Sequence, residues 1–187
     1  MRRPASGPVF LLILLFAGVL AGQTQAPKQA ASAPAPSKKP DGNLAQLMRG
    51  ILFPNSNLLF DVQQNDPGAA KKTDAPSSGG ASAAYANVYS GWQVVEGAAV
   101  ALEESADLIL KTGRLCSNGK LAPVARADYV KFAAALREAS RQALVAATAK
   151  DQMKLSDITN DLADACSMCH EKYRDKGPAG SPERCTP

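Results

Sequence analysis

Histidine, tryptophan and the other aromatic residues are scarce in this sequence. One histidine and one tryptophan occur among 187 residues, and aromatic side chains make up 5% of the chain. A single histidine excludes any site that binds its metal through two or more imidazoles of the same chain. Few aromatic residues together with frequent alanine favour helices that pack through small side chains, and we therefore expect an all-α fold.

A strong charge of one sign is also lacking. The formal net charge is +4, and Arg2 and Arg3 supply two of the positive charges close to the N-terminus. This balance is too weak to indicate a nucleic-acid partner.

The first 22 residues are typical of a secretory signal peptide. A basic start is followed by the apolar run Val9–Leu20 and then by small residues. The apolar run is shorter than the roughly 20 residues that span a bilayer. We expect cleavage after Ala21 or Gly22, or as late as Ala26, and no stable membrane span after the signal has been removed. The mature protein is therefore predicted to be periplasmic or otherwise exported.

Three further stretches have low complexity and no apolar period. Residues 23–42, rich in Ala, Pro and Lys, are predicted to be a disordered linker, residues 63–82 a low-complexity insert, and residues 177–187 a C-terminal tail. Residues 43–176, which lie between the linker and the tail, are the predicted folded domain.

Apolar residues recur at helical spacing in four segments of this domain. The segments are Asn43–Val62, Ala83–Lys111, Ala127–Ala149 and a last helix from about Ser156 to near Asp175. Pro54 is expected to break or kink the first of them. Spacings of four and three along the seams predict an antiparallel four-helix bundle.

A metal-binding motif lies in the last of these segments. Cys166-Ser167-Met168-Cys169-His170 is a C-x-x-C-H pattern, in which two thiols bind haem covalently and the adjacent imidazole binds the iron. We therefore predict one haem c per chain, attached through Cys166 and Cys169, with His170 as an axial iron ligand. A redox disulfide and a zinc site are the alternatives. They are disfavoured because the motif closes a helix with no neighbouring strand, and because zinc would need further ligands.

The second axial position of the iron has few candidates. Met168 lies between the two thioether cysteines, and Met153 precedes His170 by 17 positions, which is roughly 25 Å along a helix. Met48, on the first helix, is therefore the candidate distal iron ligand. In the alternative interpretation Met48 fills an apolar gap in the core.

Four other residues are assigned roles, each with an alternative. Cys116 and Cys185 remain after haem attachment and are predicted to form a disulfide in an oxidising compartment, or else to stay as free thiols. Arg174 either pairs with a haem carboxylate or is a surface arginine at a helix end. Trp92 either packs in the core or lies against the edge of the porphyrin.

The end of the last helix carries a family resemblance. A helix that ends in the C-x-x-C-H motif followed by Glu171-Lys172-Tyr173-Arg174, after three earlier helices, resembles the cytochrome c-prime family and its low-spin, methionine-ligated relatives. The match spans about residues 43–174, and similar segments include Gln46-Leu47-Met48, Pro54-Asn55-Ser56-Asn57 and Ala101-Leu102-Glu103-Glu104-Ser105. The resemblance implies a four-helix bundle with haem near the C-terminal helix and a distal residue on the first helix. The short first helix and the insert at 63–82 depart from that pattern.

These features predict a one-electron carrier that exchanges electrons with redox partner proteins. The alternative is a five-coordinate haem protein that binds a small gas, nitric oxide or carbon monoxide, at an apolar distal site. We do not expect an enzyme, because no distal histidine is available for acid–base work at bound peroxide, although Arg49 neighbours Met48. The cytochrome c-prime family includes both functional classes and many dimers. The resemblance therefore does not determine whether this chain forms a homodimer.

Overall fold

A computed structural model describes residues 39–69, 89–174 and 185 of the chain. Its elements are α1 (Leu44–Leu47), a π-helical turn (Met48–Leu52), α2 (Phe53–Phe60), a 3₁₀ turn (Asp61–Gln63), α3 (Trp92–Leu110), α4 (Ala127–Thr148) and α5 (Gln152–Tyr173). The first four elements follow one another without a break, and we call residues 44–63 the first helical run. The described part of the chain contains no strand, which confirms the predicted all-α class.

Several sequence-based expectations fall outside the described residues. These are the signal peptide at 1–22, the linker as far as residue 38, the insert from residue 70 to 82, and the tail except for Cys185. Within the described residues, no helix is both long enough and apolar enough to cross a membrane.

Pro54 does not end the first helix, so of the two expected effects, a break or a kink, the break is wrong. The backbone stays helical on both sides of it, and the Phe53 N–H bonds to the Met48 carbonyl across the wide π-helical turn. A proline lacks an N–H, and in an α-helix its ring crowds the carbonyl four residues earlier, here that of Gly50. The π-helical turn directly before Pro54 accommodates both effects within a continuous helix.

The start of α3 lies later than the apolar pattern predicts. Residues 83–88 are outside the described part, and residues 89–91 are not helical, so the helix begins at Trp92 rather than at Ala83. Gly91 has a φ of +61°, and a Cβ at this position would lie 2.6 Å from the Pro67 carbonyl oxygen. Only glycine fits both the backbone conformation and this close approach, and the helix begins immediately after it.

The bounds of α4 agree with the prediction, whereas α5 begins four residues earlier than expected. Asp151 caps α5 by accepting a hydrogen bond from the Lys154 N–H at 3.0 Å. Between the two helices lie only residues 149–151, with Lys150 at a φ of +56°. A link this short makes α5 turn back along α4.

The core confirms the predicted apolar stripes and consists largely of small side chains. Alanines from α3 and α4 belong to one buried cluster with larger leucines, and small side chains allow helices to pack closely. The buried residues include Ala98, Ala99, Leu102, Ala139, Ala143, Ala146, Leu155 and Leu162. The first helical run contributes Leu47, Leu52, Leu59 and Val62 to the same cluster.

The loop between α3 and α4 is joined to the C-terminal part of the chain by a disulfide. Cys116 is bonded to Cys185, with their Cα atoms 5.8 Å apart, which confirms the predicted pairing. The Cys185 N–H also bonds to the Tyr173 carbonyl at the end of α5, at 2.9 Å. The disulfide therefore connects this loop to the end of the helix that carries the C-x-x-C-H motif.

Candidate functional site

The C-x-x-C-H motif occupies the last two turns of α5. Cys166 and Cys169 are free thiols and are half-buried, as is His170, while Ser167 and Met168 between the cysteines are exposed. Residues three and four apart lie on the same face of a helix. The two thiols and the imidazole therefore face the interior together.

A cavity of about 580 Å³ adjoins this face. Its size lies within the range of ligand pockets in proteins, roughly 300–1,000 Å³. Cys166, Cys169 and His170 all line it. Apolar side chains from α3, α4 and the first helical run form much of the rest of the wall: Leu44, Leu52, Phe53, Phe60, Leu102, Ile109, Phe132 and Leu136.

Met48 lines the same cavity from the first helical run. It is half-buried and packs against the core. Of the other two methionines in the described part, Met153 is 81% exposed and Met168 is 43% exposed, and neither lines the cavity. The structure thus brings Met48 and the C-x-x-C-H motif to one cavity and separates Met153 from it.

Both ends of the first helical run are held by polar contacts. At its N-terminal end, Arg114 donates to the Gly42 carbonyl at 2.7 Å and to the Leu108 carbonyl at 2.8 Å. At its C-terminal end, the Gln63 side chain donates to the Thr159 hydroxyl at 2.5 Å. These contacts place Met48 relative to α3 and α5.

Burial changes the acid–base properties of the motif. It raises the pKa of the Cys166 thiol, and it raises that of Cys169 to about 11, with smaller contributions from Cys166 and the Asp128 carboxylate. Burial, followed by the nearby charge of Arg174, lowers the pKa of His170. The imidazole is therefore neutral near pH 7 and has a nitrogen lone pair free to bind a metal.

Asp128 connects the start of α4 to the end of α5. It accepts a hydrogen bond from the Tyr173 hydroxyl at 2.8 Å and forms ion pairs with Lys172 and, at 3.3 Å, with Arg126. The hydrogen bonds from Lys172 and Tyr173 hold the pKa of this carboxyl well below its usual range. The network fixes the C-terminal turn of α5 beside the cavity.

Tyr129 contributes a polar group to the cavity wall. Its side chain is 1% exposed, and its hydroxyl is buried without a hydrogen-bond partner in the described structure. The ring packs edge-on against Tyr173, with the ring centroids 5.0 Å apart. Tyr129 lies on the apolar stripe of α4, where periodicity alone indicates a core residue. A lone tyrosine on a helical apolar stripe has no sequence signal that separates a core role from a cavity role.

Two arginines that the sequence marks as candidates line the cavity. A third arginine, which has no such sequence signal, holds the first helical run beside it. Arg49 and Arg174 are exposed residues at its edge. Arg114 is 6% exposed and lies in a loop that carries no motif. Trp92 packs against the core and, among the described residues, is not one of those that line the cavity. The core interpretation of Trp92 is therefore correct.

The donor set suits a covalently bound haem. Two thiols at the required spacing, a neutral imidazole beside them and a methionine sulfur lie around one largely apolar cavity, whose wall also holds an unpaired hydroxyl. The zinc alternative needs four converging ligands, and no group of three His, Cys, Asp or Glu side chains that would hold a metal ion is found within the described residues. That alternative therefore gains no support from this part of the chain.

No family model, curated protein or solved structure matches this chain.

Proposed function

We propose that this protein is an exported mono-haem c-type cytochrome that carries one electron at a time between redox partner proteins. The observation that carries the proposal is that Cys166, Cys169 and His170 share one cavity wall on α5, while Met48 lines the same cavity from the first helical run. The buried, largely apolar surroundings are suited to an electron carrier, because a low dielectric around a redox centre tunes its potential.

The roles of the motif residues follow from their chemistry. The thiols of Cys166 and Cys169 would add to the vinyl groups of a haem and hold it through thioether bonds, and neutral His170 would bind its iron. When bound, the haem supplies the one-electron change between ferric and ferrous iron. In this structure burial raises the pKa of both thiols, which keeps them protonated near neutral pH and limits their oxidation.

We propose that Met48 would supply the second protein ligand of the iron. Its thioether is the soft donor that low-spin c-type cytochromes use, and its binding would raise the reduction potential. Met48 is the first residue of the π-helical turn, and such turns are frequent at functional sites because they redirect the side chains around them. The anchors at Gly42 and Gln63 limit the movement of the helix that carries it.

The packing of the helices supports an antiparallel four-helix bundle of the cytochrome c-prime type. The largest helix–helix contacts are between α3 and α4 and between α4 and α5, and the first helical run packs on α3 and α5. The three-residue link between α4 and α5 makes these two helices pack antiparallel. A haem held by the C-x-x-C-H motif would lie near the C-terminal end of α5.

The optical spectrum of the purified mature protein tests the proposal. We expect haem absorption that stays with the chain after denaturation, and a sharp low-spin reduced spectrum that carbon monoxide does not change. A variant with both Cys166→Ala and Cys169→Ala should lose haem on denaturation. If haem stays attached to that variant through denaturation, or if the wild-type protein has none, the proposal is wrong.

A gas-binding protein is the second candidate, and the apolar character of the wall around Met48 favours it. Leu44 and Leu52, one turn to either side of Met48, also line the cavity. If Met48 only packs in the wall, these side chains surround a distal space suited to an uncharged diatomic gas. A broad high-spin spectrum that shifts on addition of carbon monoxide would favour this candidate over the electron carrier.

A further inference from the structure

The Tyr129 hydroxyl has no role in the function proposed above. Its side chain is 1% exposed and lines the cavity, and no hydrogen-bond partner reaches its hydroxyl in the described part of the chain. A buried hydroxyl without a partner is unfavourable, because it has lost its hydrogen bonds to water and gained none. An unpaired donor in a cavity wall therefore points to an acceptor on the group that fills the cavity.

We propose that Tyr129 donates a hydrogen bond to a carboxylate oxygen of the haem bound in this cavity. The proposal rests on the function proposed above. The edge of a haem consists of methyl groups, methine carbons, thioether links and two carboxylates, and only the carboxylates are strong acceptors. A hydrogen bond to a charged acceptor is also about twice as strong as one between neutral groups.

The position of Tyr129 argues against an acceptor bound to the iron. Tyr129 lies in the first turn of α4, and its ring contacts that of Tyr173, which lies one turn beyond His170 in α5. This contact places it on the α5 side of the cavity, together with His170. A second ligand of the iron would lie away from His170, towards the first helical run.

The charge near Tyr129 favours an anionic acceptor. The guanidinium of Arg114 is 6% exposed and forms no ion pair within the described residues. Its positive charge acts on the Tyr129 hydroxyl and lowers the pKa of this group, but the larger effect of burial raises it. The hydroxyl therefore stays protonated and able to donate, next to a buried cation that stabilises a carboxylate.

The test compares Tyr129→Phe with wild type and with Tyr89→Phe as the matched control. Tyr89 is 71% exposed and is not among the cavity-lining residues. We therefore expect that removing its hydroxyl leaves the haem unchanged. Each protein is produced with haem whose carboxylate carbons are labelled with ¹³C, and redox-difference infrared spectra are recorded. The label separates the haem carboxylate bands from those of Asp and Glu.

We expect Tyr129→Phe to shift a labelled carboxylate band and Tyr89→Phe to leave it in place. An unchanged band in Tyr129→Phe would overturn the proposal. So would a shift that appears only in the stretching band of carbon monoxide bound to a Met48→Ala background, since the acceptor would then be the iron-bound ligand. Covalent haem content is measured in every sample, and its absence from wild type would refute the proposed function rather than this hydrogen bond.

A second measurement covers the case in which Tyr129→Phe folds poorly. Losing a hydrogen bond raises the pKa of the carboxylate that accepted it, by about one unit for a bond of this class. The pH at which the midpoint potential changes slope should therefore rise by about one unit in whatever fraction of Tyr129→Phe carries haem. If the midpoint potential of Tyr129→Phe changes slope at the same pH as that of wild type, the proposal is overturned.

Discussion

Arg114 hydrogen-bonds to the carbonyl of Gly42, 72 residues earlier in the chain, at 2.7 Å. Through this contact a buried guanidinium holds the residue immediately before the Asn43 cap of the first helical run. Met48 lies about one turn further along that run. The contact therefore connects the loop between α3 and α4 to the position of the candidate distal ligand.

Replacement of Arg114 by methionine should loosen this end of the first helical run. The variant Arg114→Met keeps much of the side-chain volume but removes the hydrogen bonds to Gly42 and Leu108. We expect a loss of about 3 kcal/mol in the free energy of unfolding, because both carbonyls lose a charged donor. Carbon monoxide should also bind to a larger fraction of the reduced protein.

Urea unfolding and carbon monoxide titration of the haem-loaded protein measure the two effects. Arg141→Met is the control, because Arg141 is half exposed and, within the described residues, forms its ion pair with Glu138 of the same helix. Its loss should cost less than about 1 kcal/mol. Equal unfolding free energies for the two variants would contradict the anchoring role of Arg114.

Replacement of Met48 by leucine should open the distal position of the iron. We expect Met48→Leu to retain covalent haem, to become high-spin and to bind carbon monoxide when reduced, because leucine fills a similar volume without a sulfur donor. Met153→Leu should behave as wild type, since Met153 is 81% exposed. Optical spectra of both variants, with and without carbon monoxide, distinguish the high-spin form that binds the gas from the low-spin form that does not. If Met48→Leu stays low-spin and does not bind carbon monoxide, Met48 is not the ligand.

Loss of the Cys116–Cys185 disulfide should destabilise the protein without releasing haem. The bond joins residues separated by 69 positions, and the chain-entropy model gives about 4 kcal/mol for a loop of this length. We expect the double variant Cys116→Ser and Cys185→Ser to unfold at lower urea, while haem stays attached through the thioether bonds. Haem loss from this variant on denaturation would show that attachment depends on the disulfide.

The stabilisation from Asp128 should depend on pH. The folded protein lowers the pKa of this carboxyl below its ordinary value of 3.8, so the folded state favours the ionised form. Its contribution is complete above about pH 5 and is lost as the pH falls through the unfolded value towards the folded one. The difference in melting temperature between wild type and Asp128→Asn should therefore narrow from pH 7 to pH 3.

Glu138→Gln is the matched variant for this measurement. Hydrogen bonds from Arg141 and Gln142 lower the pKa of Glu138 to about 2, but all three residues belong to α4. Its loss breaks no link between helices and should change the melting temperature less than Asp128→Asn does at pH 7. A difference for Asp128→Asn that stays constant with pH would show that its effect does not come from the charge.

The local spacing of apolar residues was sufficient to predict most of the helices. It failed where a contact with a distant residue decides where a helix begins or whether it continues. The start of α3 depends on the approach of Gly91 to Pro67, and no window around Trp92 contains that information. Pro54 signals a helix break, yet the π-helical turn before it and the packing of the run against α3 and α5 keep the segment helical. The Asp151 cap, by contrast, is a local signal, because the aspartate lies directly before the helix that it caps.

The sequence by itself determined the all-α class, the apolar stripes and the C-x-x-C-H motif, because these depend on residue type, composition and short-range spacing. Only the tertiary structure decided which distant residues meet. It brought Met48 and Tyr129 to the cavity that Cys166 and Cys169 line, and it joined Arg114 to Gly42 at the start of the first helical run. It also brought Cys116 to Cys185. Such meetings depend on how whole helices pack, and packing is a sum over many weak contacts that no single segment encodes.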